Sequence, residues 1–347
     1  MTPEENREKP DHLENGGTTV ADGRKRAKFR RHCARFWWIH VLIFIAIVLI
    51  ITLPVVFVAY PHQAQSAINK STLMVTSQSF LNPAPDAVDL DLNSVFLSNS
   101  SLHAKLYAFE ADLCLEDSDT PFAQLSIPET EAANGTKSRV VQRVPIKNKD
   151  QFFAYAKTQI LSEEYVVYLK GKGGLKYGKL QKTNVKYNDK ITMKGLDGLK
   201  GFNVTDFELI TTSHPSDYNA NGTVFIPNPT VTTYEMGNIT MDMYVGNVSI
   251  GNSTLENVVL RPGNNTFPLR ALANQTAVVQ LLFTDYKSGI FPVNIVTTGV
   301  IYHGEHLPYY EYALQSNNQT NNLNVIEVLE KAGLAGYLGI NTTSTAR

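Results

Sequence analysis

The sequence predicts a mostly β protein: two tandem antiparallel β-sandwich units, of immunoglobulin or fibronectin III-like type, behind one N-terminal transmembrane helix. Three observations lead there. Phe36 to Tyr60 is a long run without Asp, Glu, Lys or Arg. After Pro61 the chain breaks into short runs of alternating apolar and polar residues bounded by Gly, Pro, Asn and Asp, the pattern of half-buried strands. The same order of strand-like parts then occurs twice.

Residues 1–35 form a polar tail with nine basic and six acidic groups. No apolar period runs through it, so it is expected to be a disordered basic cytosolic tail. Its basic groups gather next to the apolar run, at Arg24, Lys25, Arg26, Lys28, Arg30, Arg31 and Arg35. A basic run of this kind resembles a nuclear import patch. Placed against a membrane span it reads instead as an orientation signal that also contacts anionic lipid headgroups, with no nucleic-acid role. Cys33 sits three residues from the span, where acylation occurs.

Residues 36–60 are the transmembrane helix. Trp37 to Ala59 would extend about 34 Å against a hydrocarbon core of about 30 Å. Trp37, Trp38 and Tyr60 fall where aromatic rings favour the two interfaces, and Pro54 is expected to bend the helix only. The run is too long, and too far from the N-terminus, for a cleavable signal peptide. The charge bias places the N-terminus in the cytosol and residues 61–347 in a lumen or outside the cell.

The first strand series, residues 61–200, includes SFLNPAPDAVDLDLNSVFL, HAKLYAFEADL, EYVVYLKG and DKITMKGL. The second, residues 201–331, includes VFIPNPTVTTYEMGNITMDMYVGNVSIGNSTLENVVL. Each carries an Asn-Pro pair, Asn82-Pro83 and Asn228-Pro229, and Pro marks a strand exit or a bulge because it cannot donate to a sheet ladder. Three segments read as helices: KNKDQFFAYAKTQIL with Asp150 as its cap, NQTAVVQLLF, and NLNVIEVLEKAGL ended by Gly333. Residues 332–347 read as a C-terminal tail. Cys114 is alone beyond the span, so no disulfide forms within the β region and burial must stabilise it.

Residues 61–347 contain 26 asparagines, and 12 of them open an Asn-x-Ser/Thr triplet: Asn69, Asn99, Asn134, Asn203, Asn221, Asn238, Asn247, Asn252, Asn264, Asn274, Asn318 and Asn341. At the chain's Ser and Thr content chance supplies about four, so the excess points to N-glycosylation in a secretory compartment. The motifs that suggest chemistry are weaker. His303, Glu305 and His306 have a spacing of three between flanks that read as strands, so they form a polar turn and not a zinc-hydrolase helix. The run from Gly171 to Gly178 lacks the phosphate-cradle pattern and reads as a hairpin turn. Gly246 is one place too far from Ser249 for a nucleophile elbow. No catalytic residue, metal site or cofactor emerges.

The run NPTVTTYEMGNITMDMYVGNVSIGNSTLENVVLRPGNN, with its closing Pro262-Gly263-Asn264-Asn265, resembles the late-embryogenesis-abundant type 2 β-sandwich. The arrangement of basic tail, single span and two such units resembles fungal proteins of a domain-of-unknown-function group, related to a vacuolar-membrane protein implicated in terminating autophagy. The resemblance implies a vacuolar membrane location and brings no catalytic residue. The expectation is a non-enzymatic, glycosylated lumenal scaffold that docks an unidentified protein, with its sandwich interior filled by side chains and holding no lipid. Lipid binding or transfer between the sheets is the alternative, and a lumenal hydrolase the third reading.

Overall fold

The computed structural model describes residues 21–98, 103–210, 214 and 217–339, and of residues 21–36 the backbone alone. The chain divides into two compact units, Met1–Tyr60 and Pro61–Arg347.

The described residues of the first unit are helical. Helix α1 (Ala21–Pro54) runs into a five-residue π segment, Val55–Ala59, and helix α2 (Tyr60–Asn69) follows. Trp37–Asn69 is long and apolar enough to cross a membrane, with a mean hydropathy of 3.3 in its most apolar window and no buried side chain there. Pro54 has no N–H and its ring crowds the preceding turn, so the ladder widens to i→i+5 bonds, as in Tyr60 N–H to Val55 C=O. The helix starts at Ala21 and not at Phe36. Disorder is therefore not what residues 21–35 show. Ala, Arg and Lys are good helix formers, and extending a formed helix avoids the cost of nucleation. Residues 1–20 lie outside the described residues.

Among its described residues the second unit has 17 strands. The first half holds β1 (Thr72–Ala84), β2 (Ala87–Leu97), β3 (Ala104–Leu106), β4 (Phe109–Leu115), β5 (Ala123–Ile127), β6 (Thr130–Ala132), β7 (Thr136–Pro145), helix α3 (Lys149–Leu161), β8 (Glu164–Tyr177) and β9 (Thr183–Lys194). The second half holds β10 (Asn203–Leu209), β11 (Ala220–Asn228), β12 (Thr232–Val245), β13 (Val248–Leu260), β14 (Gly263–Ala273), helix α4 (Gln275–Thr284), β15 (Ile290–Tyr302), β16 (Glu305–His306), helix α5 (Pro308–Gln315), β17 (Gln319–Asn324) and helix α6 (Val325–Lys331).

Two sheets result, in a sandwich-like, mostly β arrangement. The smaller has the order β5-β4-β8-β3-β6, with β9 beside β8. The larger runs β10-β11-β14-β13-β12-β1-β2-β7, with β15 also on β12. It therefore contains strands from both series. The seam is a parallel pairing of β1 with β12, which sets Gln78 opposite Thr232 and Phe80 opposite Tyr234. Side chains tighten the seam: Thr232 Oγ1 donates to Gln78 Oε1 at 3.3 Å, and the Phe80 and Tyr234 rings lie 6.0 Å apart. At the same seam Tyr302 Oη and the Asn82 N–H both donate to Glu235, while Arg143 bonds the Asn82 C=O and Asp89. The two series thus share one sheet and one continuous hydrophobic core.

The two Asn-Pro pairs do different work. Pro83 sits in the β1–β2 hairpin at a register shift, with Asn82 at φ 43°. Asn228 is buried at the exit of β11. Its Oδ1 accepts from the Thr230 N–H and hydroxyl, and its Nδ2 donates to Thr232 C=O at 2.8 Å. Near the start of the unit, Gln65 of α2 acts as a short strand mimic on β9. Its Oε1 accepts the Lys186 N–H and its Nε2 donates to the Lys186 C=O, each at 2.8 Å, which occupies backbone groups that an open edge would expose.

Three local expectations are corrected. Helix α3 is capped by Asn148, whose Oδ1 accepts from the Gln151 N–H, and Asp150 lies in the first turn. The segment LPYYEY is a helix and not a strand, because Pro308 presets the first turn and Tyr309, Tyr310, Ala313 and Leu314 recur on one buried face. Gly171, Gly173 and Gly174 lie inside β8 and only Gly178 is in the turn. A Cβ on Gly171 would stand 2.8 Å from the Phe109 ring, so the missing side chains let that ring lie against the strand.

Candidate functional site

Ten of the twelve acceptor asparagines fall on described residues, and all ten are exposed: Asn69, Asn134, Asn203, Asn221, Asn238, Asn247, Asn252, Asn264, Asn274 and Asn318. Asn99 and Asn341 lie outside the described residues. Of the fourteen other asparagines after Pro61, only Asn82, Asn184, Asn188, Asn257 and Asn322 are exposed. Hydrogen bonding overlaps between the two sets, since Asn148, Asn294 and Asn324, outside the triplets, also accept through Oδ1. Asn134, Asn238 and Asn274 each accept a backbone N–H through Oδ1, and Asn69 and Asn203 accept from Gln65 and Asn321 in the same way. In these five the amide nitrogen, the atom that would carry a sugar, is not the bonded atom. Asn219, Asn228, Asn265 and Asn317 instead spend Nδ2 on backbone carbonyls. The acceptors sit in turns, at strand ends and on outward faces. Asn247 lies in the turn between β12 and β13, and Asn264 is the second residue of β14.

The other sequence candidates do not assemble. His306 Nδ1 lies 2.6 Å from Glu311 Oε1, which also accepts the Val300 N–H, so this pair fixes the start of α5. His303 stacks on Tyr302 with ring centroids 4.0 Å apart, and Glu305 is exposed in the two-residue strand β16. Among the described residues no group of three His, Cys, Asp or Glu side chains could hold a metal ion. Cys114 is buried and free, and burial raises its thiol pKa, so it is not a primed nucleophile. The side chains of Arg24, Lys25, Arg26, Lys28, Arg30, Arg31, Arg35 and Cys33 lie outside the described residues.

The interior carries polar groups that alternation alone did not reveal. Gln159 donates to the hydroxyls of Tyr155 and Tyr165 at 2.8 and 3.0 Å, and burial pushes Tyr165 up to about 12. Asp189 stands on the inner face of β9 with Val185, Tyr187 and Ile191, and burial pushes its carboxyl up to about 6. On the surface, Arg143 and Arg139 hold Asp89 and Asp91 below the usual carboxylate range through hydrogen bonds.

One region departs from a filled interior. The larger sheet curls in its second half until β10 and β17 lie side by side, joined by a bond from Asn321 Nδ2 to Asn203 Oδ1 at 2.9 Å. Inside is an apolar cavity of about 250 Å³. Its walls come from β10, β12, β13, β14, β15 and β17, and its end is covered by α4, α6 and the segment after α6. Gln275 is the one lining residue with an amide side chain, and no charged residue lines it. A smaller apolar hollow of about 30 Å³ lies further along and shares Phe207, Met243, Val293 and Leu323 with it. Residues 332–339, expected as part of a tail, supply Leu334, Tyr337 and Leu338 to the cavity wall, and Ala335 there is buried.

Residues 120–243 match the family described as a protein of unknown function (DUF3712). The matched stretch runs from just before β5 to near the end of β12, across the position where two separate units were expected to meet. No curated protein matches the chain. Among solved structures it is similar to the periplasmic chaperone SfaE, at 12% identity over 73% of this chain and 100% of that one, with a TM-score of 0.19. A bacterial adhesin from Mobiluncus mulieris is 9% identical over 71% of this chain and 84% of that one, with a TM-score of 0.20. Red sea bream transglutaminase is 10% identical over 65% of this chain and 29% of that one, with a TM-score of 0.21.

Proposed function

We propose that the chain is a single-pass membrane glycoprotein whose residues 61–347 form a non-enzymatic, lumenal β-sandwich scaffold. The sorting of its asparagines carries the reading. Every described acceptor is exposed, whereas nine of the fourteen other asparagines are half-buried or buried. A surface shaped by glycosylation has this distribution, because a sugar needs an outward-facing amide nitrogen and a buried Asn is kept for its hydrogen bonds. The apolar helix supplies the anchor, and the basic cluster from Arg24 to Arg35 supports a cytosolic N-terminus that contacts anionic lipid headgroups. Resemblance of the tail, span and strand series to the autophagy-linked fungal group supports a vacuolar membrane location and a role in autophagy or membrane organisation. In that role the glycosylated strands would dock a lumenal protein partner.

The test is the full chain with tags at both ends in sealed membrane vesicles. Protease should remove the N-terminal tag and spare the C-terminal one. N-glycosidase should lower the mass by several glycans. Cleavage of the C-terminal tag in intact vesicles, with no glycan shift, reverses the orientation and removes the lumenal scaffold.

A further inference from the structure

We infer that the cavity in the second half of the larger sheet is a binding site for one hydrocarbon chain of a fatty acid or membrane lipid. Its size favours that occupant. An engineered cavity of about 150 Å³ accepts benzene, or roughly six carbons, so the 250 Å³ here takes roughly ten. Its shape favours a chain over a compact ring. Phe207, Met243, Val293 and Leu323 line both the main cavity and the second hollow, so the two spaces lie next to each other with these side chains between them. Met243 is unbranched and adaptable, which suits a wall that yields to a flexible chain reaching from one space toward the other.

The lining excludes other ligand classes. With no charged residue on the wall, a charged or strongly polar molecule would lose its hydration without compensation. Packing to ordinary protein density would have filled this volume with side chains, and the small residue Ala273 faces it where a larger one would close it. The cavity also reaches the surface. Leu334 and Tyr337 on its rim are 39% and 89% exposed. The segment that carries them leaves α6 through Gly333 at φ 70° and includes Gly339 at φ 67°. A polar headgroup can remain in water at this rim while its chain is inside. The chain is joined to a helix long and apolar enough to cross a bilayer, so hydrocarbon is available locally. The site is independent of the glycosylated scaffold reading, since it rests on the interior and not on the surface.

The experiment reconstitutes the full chain into phosphatidylcholine vesicles and has two arms. In one, a photoactivatable dodecanoic acid is added from solution. In the other, the vesicles contain phosphatidylcholine with a photoactivatable chain. After irradiation, crosslinks are mapped by mass spectrometry. Label on residues 205–209, 241–250 or 323–338 is expected, competed by unlabelled dodecanoate. The first arm alone identifies a free fatty acid, and label in the second identifies a bilayer lipid. The variants Ala273→Phe, which fills the main cavity, and Val293→Phe, at a residue lining both spaces, should each abolish that label while label on the Trp37–Ala59 helix persists. The helix label reports that either variant is inserted, and unchanged protease resistance reports that it is folded. Absence of label from the cavity residues in both arms overturns the proposal. So does cavity label that persists in both folded variants.

Discussion

Asp189→Asn offers a test in which the sign, size and pH window all come from one residue. Asp189 is 9% exposed on the inner face of β9, and among the described residues no side chain donates a hydrogen bond to its carboxylate. Burial alone pushes its pKa from 3.8 up to about 6. The native state therefore holds this proton more tightly than the unfolded chain. The resulting stabilisation is complete below about pH 3.8 and is lost as pH rises through about 6. A shift of about two units corresponds to about 3 kcal/mol, and residual water contact and local relaxation reduce that to about 2. Asn has the shape of the protonated acid and never ionises. The variant should match the wild type near pH 3.5 and exceed it by about 2 kcal/mol at pH 7.5, or about 3 °C in Tm for a domain of this size. Guanidinium unfolding of residues 61–347, followed by tyrosine fluorescence at five pH values, gives the difference curve. Asp89 and Asp91, held low by their arginines, contribute in the opposite direction, and they cancel because both proteins contain them. A difference that does not change between pH 3.5 and 7.5, or a variant less stable at pH 7.5, would refute the argument from burial.

Three further outcomes are expected from the same unfolding assay. Tyr309→Phe removes a buried hydroxyl without a partner and keeps the edge contact with Phe152 at 5.1 Å, so stability should hold or rise by about 1 kcal/mol; a loss beyond that would reveal a partner for the hydroxyl. Asn228→Ala strands the Thr230 N–H in a buried turn and leaves the Thr232 C=O only the 3.3 Å bond from the Thr230 hydroxyl, so it should cost about 2–3 kcal/mol, whereas an effect under about 0.5 would mean the turn rewires. Gly237→Ala forces a side chain onto φ 77° with its Cβ against the Ile301 carbonyl, and should cost more than about 2 kcal/mol, seen as protease sensitivity of the β12–β15 pairing.

Much of this protein is legible along the chain because its signals are local. The apolar run from Phe36 to Tyr60 needs no partner to be recognised, since length and lack of charge are one-dimensional properties. Strands such as Ala87–Leu97 declare themselves because alternate side chains face opposite sides of any sheet, whatever sheet they join. The acceptor triplets are equally local, although their common exposure is a property of the fold. The helix at Pro308–Gln315 was obscured because tyrosines favour strands, and only the space beside α3 and β15 decides that Tyr309 and Tyr310 face inward together. The seam between Phe80 and Tyr234 joins residues 154 positions apart, and no local pattern encodes which two strands will lie parallel. The cavity is the clearest case. Met243, Val293 and Leu323 each look like ordinary core residues in their own strands, and whether side chains meet across a curled sheet or leave a space between them depends on all of its strands together. Sequence thus determined the apolar helix, the strand alternation and the acceptor positions, because each depends on neighbours in the chain. Tertiary structure decided the shared sheet, the buried Asp189 and the hollow interior, because each depends on residues that only folding brings into contact.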